Sequence, residues 1–217
     1  MVLSLRLRLS LMMFLQYFMF GVWLVTLGTY MSKGLGFDDI IGTAYGTQGI
    51  AAIVSTLFVG AIADRLMAAQ RLLGLLCLLS AGMLLLLAQI DHSRTLFLMT
   101  VFAEFLFFVP TVALSSVIAL NAMRACPQEF PTVRVLGTVG WISAGLLVGG
   151  MSGTARTSLP LEIGAAAGIA LGFYAFTLPN TAPEARGQPL RLVSVFGLDV
   201  IVQQRERTFW VFVAGVL

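Results

Sequence analysis

Hydrophobic positions in this chain come in long runs separated by short polar patches. Six runs stand out, at 9–31, 41–63, 71–89, 95–120, 131–152 and 160–178. A bilayer's hydrocarbon core asks for roughly 20 apolar residues from a spanning helix, so the pattern predicts six transmembrane helices over residues 1–179. Their connections are short, so helices adjacent in sequence should run antiparallel. The first run follows Arg6 and Arg8, as a signal peptide would, but it is long, interrupted by Gln16 and lacks a small-residue cleavage site, so a retained helix is expected. After residue 179 the pattern changes. Residues 180–207 are polar, contain Pro183, Gly187 and Pro189, and hold one short apolar patch. That predicts a cytoplasmic linker with an interfacial helix. A new apolar run opens at 208 and reaches 217, too short to span. It is read as the truncated start of a seventh helix.

Polar residues inside the runs are the candidate chemistry, because an ionisable or polar group at membrane depth is costly and should face inward. Pro131 suits a first helical turn. Arg134, Thr138 and Trp141 then fall at i, i+4 and i+7, placing a cation, a hydroxyl and an indole on one helix face. In the first run, Gln16 and Trp23 are seven apart and share a face. The fourth run carries Glu104, Phe108, Thr111 and Ser115 at i, i+4, i+7 and i+11, beside Pro110. Glu104 is expected about 14 Å into its helix at ~1.5 Å per residue, where a carboxyl must be protonated or partnered. Gly145, Gly149 and Gly153, and likewise Gly164, Gly168 and Gly172, repeat every fourth residue; such stripes let helices approach closely.

Composition supports the membrane reading. The chain is 59% hydrophobic and 11% charged, with a mean hydropathy of +0.95, whereas a soluble domain carries about 25% charged residues. The net charge of +3 does not point to nucleic acid, because the basic residues sit in short loops, as a topology signal does. With the N-terminus in the cytoplasm, Arg6, Arg8, Arg65, Arg71, Arg124, Arg134, Arg186, Arg191, Arg205 and Arg207 fall inside. Only Lys33, Arg94 and Arg156 fall outside. Cys77 lies in an apolar run and Cys126 in a loop, so two unpaired thiols are expected. The lone histidine, His92, lies in a loop. No metal-ligand spacing, nucleophile–base pair or paired carboxylates at depth are visible, which argues against an enzyme and against a cofactor.

Several stretches carry a resemblance. Gly60-Ala61-Ile62-Ala63-Asp64-Arg65, between the second and third runs, resembles the loop motif of the major facilitator superfamily. The first helix (Phe14 to Phe18, Gly21 to Met31), then Gly49 to Ala52, Val109-Pro110-Thr111, and above all Phe130 to Trp141, resemble the nucleoside:proton symporter family of that superfamily. The resemblance implies an all-α, twelve-helix transporter in two six-helix halves, with substrate held between them. This chain would be the N-terminal half, ending in the start of helix 7, and its partners would be a nucleoside, a proton, the lipid bilayer and the C-terminal half. It implies a bacterial cytoplasmic (inner) membrane and substrate contact from Arg134, Thr138 and Trp141. It also implies a conformational latch at Asp64 and Arg65, and proton-coupling acids in the other half. From the residues themselves, Gln16, Trp23, Glu104 and Thr111 join the expected substrate-binding set. Alternatives are a major facilitator transporter of another small solute, such as a sugar or drug-like compound, or a membrane fragment that binds or senses without transport.

Overall fold

The computed structural model describes residues 2–123 and 127–181, leaving aside the side chains of residues 2, 3, 56, 57, 61, 64 and 127. All regular structure among them is helical. The main helices are α1 (Val2–Thr29), α2 (Ile41–Arg65), α3 (Ala69–Leu87), α4 (Arg94–Ala122), α5 (Phe130–Gly150) and α6 (Leu159–Ala175). The expected linker from 182 to 207 and the run from 208 to 217 lie outside the described residues, as does Cys126.

Among the described residues, five segments are long and apolar enough to cross a membrane: Ser4–Leu35, Asp38–Gly60, Ala69–Leu87, Arg94–Ala122 and Phe130–Gly150. The sixth, α6, is apolar but only 17 residues long, about 26 Å at 1.5 Å per residue. It ends earlier than its apolar run because the backbone turns: the N–H and hydroxyl of Thr177 both bond back to the Tyr174 carbonyl. The Thr177 carbonyl then accepts from the Arg8 guanidinium.

Packing follows residue size. α1, α6, α3 and α4 form a closed four-helix core, with α5 laid along α1 and α2 laid along α4. The α6 glycines are a contact stripe, as expected. A Cβ at Gly164 would meet Trp23 of α1 at 3.1 Å, one at Gly168 would meet Met19 at 2.9 Å, and one at Gly172 would meet Leu78 of α3 at 2.8 Å. On α5 the expected stripe is displaced. Gly145 and Gly149 have nothing within 4 Å, whereas a Cβ at Gly140 would lie 2.3 Å from the Phe14 carbonyl oxygen. The close approach of α5 to α1 therefore runs through Gly137, Gly140 and Ala144.

Polar ties close both ends. At one, Arg6 pairs with Glu129 just before α5, and Tyr174 donates to the Arg8 carbonyl at 3.1 Å. There the chain after α6 is strapped to α3: Gln70 donates to Asn180 at 2.8 Å and accepts from the Thr181 N–H at 2.9 Å. At the other end Arg94 pairs with Asp39 at 3.2 Å and lies 5.6 Å from the Phe37 ring centroid. There α1 passes into a π-helical turn (Tyr30–Leu35) that ends at Gly36 with φ +69°, a left-handed conformation that suits glycine. One turn earlier, the Tyr45 hydroxyl of α2 accepts from the Gly28 N–H at 3.0 Å and donates to the Leu24 carbonyl at 2.9 Å.

Candidate functional site

Three longitudinal stripes divide α5, and the sequence explains each. Val133, Gly137, Gly140, Ala144 and Val148 are buried, small or branched, and face α1. Val135, Val139, Ile142 and Leu146 form an exposed apolar stripe, the surface a lipid tail prefers. Between them runs a stripe of Arg134, Thr138 and Trp141. Thr138 is exposed, and Arg134 and Trp141 are half-buried. The helix periodicity places these three together as the sequence analysis expects, and the neighbouring stripes set the direction in which they look.

Arg134 is held by stacking. Its guanidinium carbon lies 4.1 Å from the centroid of the Tyr17 ring on α1. Gly137 makes the room: a Cβ there would lie 2.6 Å from a Tyr17 ring carbon and 2.9 Å from Arg134 Nη1. Among the described residues no carboxylate pairs with Arg134, and the Tyr17 hydroxyl is buried without a hydrogen-bond partner. Trp141 meets Phe20 of α1 edge-on, with centroids 5.1 Å apart. Phe20 in turn contacts Phe108 of α4 at 4.7 Å, and Trp23 contacts Phe105 and Phe108. An aromatic ladder thus leads from the open α5 stripe into the core.

The other candidates are sealed inside. Gln16 donates to the Thr111 hydroxyl at 2.7 Å, and Thr111 donates to the Phe108 carbonyl. Pro110 lies beside Thr111 inside the helix and contributes no N–H of its own. Trp23 is fully buried between α1, α4 and α6. Glu104 has no exposed surface; its Oε1 accepts from Ser80 of α3 at 2.7 Å, and its Oε2 has no partner among the described residues. These four do not join the α5 stripe, and Glu104 meets α3 rather than Arg134. Asp64's side chain lies outside the described residues, and Arg65 ends α2. His92 is exposed in the α3–α4 connection beside Asp91 at 2.9 Å, and the hydrogen bond between them draws the Asp91 carboxyl below its ordinary range. Tyr17, which stacks on Arg134, is not among the residues expected from the sequence. The available signal was a tyrosine well inside a spanning run, away from the interface where that side chain usually resides.

A six-helix bundle with small-residue seams and an open polar stripe on α5 defines half of a major facilitator membrane transporter. The fold matches two solved structures of the nucleoside transporter NupG, one a mutant form. Their TM-scores are 0.84 and 0.80 at 28% identity, covering 96% of this chain and 52% of theirs. The nucleoside H+ symporter family profile matches residues 3–217, and the chain belongs to that family of transporters. It is similar to the putative nucleoside transporter YegT of Escherichia coli (strain K12), 36% identical over 211 residues. That match takes in 94% of this chain and 49% of the relative. It is also similar to the xanthosine permease of the same organism, 37% identical over 204 residues, 92% of this chain and 48% of the relative. The chain spans about half the length of these curated relatives.

Proposed function

We propose that the chain works as the N-terminal half of a proton-coupled nucleoside transporter in a bacterial inner membrane, with its N-terminus in the cytoplasm. The observation that carries this is the α5 stripe. A guanidinium, a hydroxyl and an indole share one open face, set apart from the apolar stripe beside them. A cation without a paired carboxylate is poorly tolerated against lipid tails and well suited to a water-filled cleft. The chemistry fits a nucleoside: an indole stacks on a flat base, while guanidinium and hydroxyl bond ribose or base oxygens. Family membership, the likeness of the fold to a nucleoside transporter and the similarity to a xanthosine permease support the same substrate class. The basic residues gathered at one end support the orientation. Alternating access then follows from two halves rocking about a site between them.

The test is uptake of labelled uridine and adenosine by the full-length permease that carries this half, with and without a protonophore. Uptake should fall when the proton gradient collapses. Arg134→Ala should weaken uridine binding about tenfold or more, since hydrogen bonds from a charged donor contribute about 1.5–3 kcal/mol. The reading is lost if binding is unchanged by both Arg134→Ala and Trp141→Ala.

A further inference from the structure

We propose that Tyr17 is the positioning residue for Arg134, and that its ring, not its hydroxyl, sets how the guanidinium meets substrate. This rests on the reading of Arg134 as a substrate contact. Three observations converge on Tyr17. The guanidinium carbon lies 4.1 Å from the ring centroid. Gly137 leaves room that both groups use, since a Cβ there would collide with each. And no carboxylate pairs with Arg134 among the described residues.

The choice of an aromatic ring over a carboxylate matters for chemistry. A carboxylate holds arginine by taking two of its N–H donors in a planar fork. A ring attracts the cation through its face and leaves the in-plane donors unspent. Arg134 is thus restrained in direction while its donors stay available to an oxygen-rich ligand. The restraint lowers the side-chain entropy that binding would otherwise cost. The Tyr17 hydroxyl takes no part: it is buried and has no hydrogen-bond partner among the described residues. Replacing such a group by hydrogen is close to neutral or favourable.

The test is equilibrium binding of uridine to the full-length permease, with thermal midpoints measured alongside. Tyr17→Phe should bind within about twofold of the parent. Tyr17→Leu and Tyr17→Met, which remove the ring face, should each weaken binding about threefold to tenfold, the range for a partly desolvated cation–π contact. In an Arg134→Ala background the same changes should have no further effect, because nothing is left to position. If Arg134→Ala leaves binding unchanged, the substrate-contact reading fails first. If Arg134→Ala weakens binding but Tyr17→Leu and Tyr17→Met do not, the positioning role alone fails. It fails equally if Tyr17→Phe is as damaging as Tyr17→Leu, or if the loss persists without Arg134. Should Tyr17→Leu not accumulate in membranes, Tyr17→Met, closer in volume, gives the same comparison.

Discussion

The seam between α1, α3 and α4 and the open stripe of α5 both hold polar side chains at membrane depth, and they treat them in opposite ways. In the seam, Gln16 meets Thr111 and Glu104 meets Ser80, each pair closed off from solvent. On α5, Arg134 and Thr138 keep their polar groups free of such closure. Polar residues in a membrane bundle therefore serve two ends. Pairs that satisfy each other fix which helices touch, while groups left open are available to a ligand. Depth and polarity alone do not separate the two; the identity of the facing residue does.

The sharpest way to break this division is to attack the helix contact beneath the open stripe. Gly140→Ala places a methyl 2.3 Å from the Phe14 carbonyl oxygen, which is backbone and cannot swing aside. A cost of about 3 kcal/mol or more is expected, at the upper end for overpacking. It should appear as a lost thermal midpoint or as failure to accumulate. Gly145→Ala, with nothing within 4 Å, should leave both untouched. If the two variants behave alike, the assignment of the buried stripe is wrong.

A smaller effect is expected inside the seam. Glu104→Leu removes the acceptor of the Ser80 hydroxyl together with the unpartnered Oε2. Those changes oppose one another, so stability should move by about 1 kcal/mol, and Glu104→Gln, which keeps an acceptor, should move it less. Neither should alter uridine affinity. Loss of proton-driven uptake in a well-folded Glu104→Gln variant would move Glu104 from scaffold to transport.

The smallest effect is the coupling between Gln16 and Thr111. A double-mutant cycle of Gln16→Leu and Thr111→Val, read by thermal unfolding in detergent, should give about 0.6 kcal/mol, the usual size for hydrogen bonds between helices in membranes. A coupling near zero would make their contact incidental.

Much of the fold was legible in the sequence because membrane spanning imposes length and apolarity on each segment separately. The runs at 41–63 and 95–120 match α2 and α4 to within two residues at each end. The Gly164, Gly168 and Gly172 stripe was also readable, since the stretch it spans is mostly glycine and alanine, with only Ile169 and Leu171 bulky. What could not be read was which of several regular stripes a neighbour would select. Gly145 and Gly149 have the spacing of a contact surface, yet α1 sits against Gly137 and Gly140, with the Tyr17 ring at the first and the Phe14 backbone at the second. Likewise Glu104, Phe108, Thr111 and Ser115 do share a buried face, but it is closed by two different helices, Ser80 from α3 and Gln16 from α1. The Arg134, Thr138 and Trp141 grouping was recoverable from one helix alone. Tyr17 was not, because its role exists only once α1 lies beside α5.

The contact of Tyr45 with α1 reaches the main chain of that helix near its C-terminal end. Leu24 C=O and Gly28 N–H are the pair that an α-helix joins directly, and a phenol from α2 bonds to both. If the phenol withdraws, the two backbone groups can bond to each other, so neither is stranded in hydrocarbon. Loss of the Tyr45 hydroxyl would thus give up two hydrogen bonds between helices while leaving no backbone group without a partner.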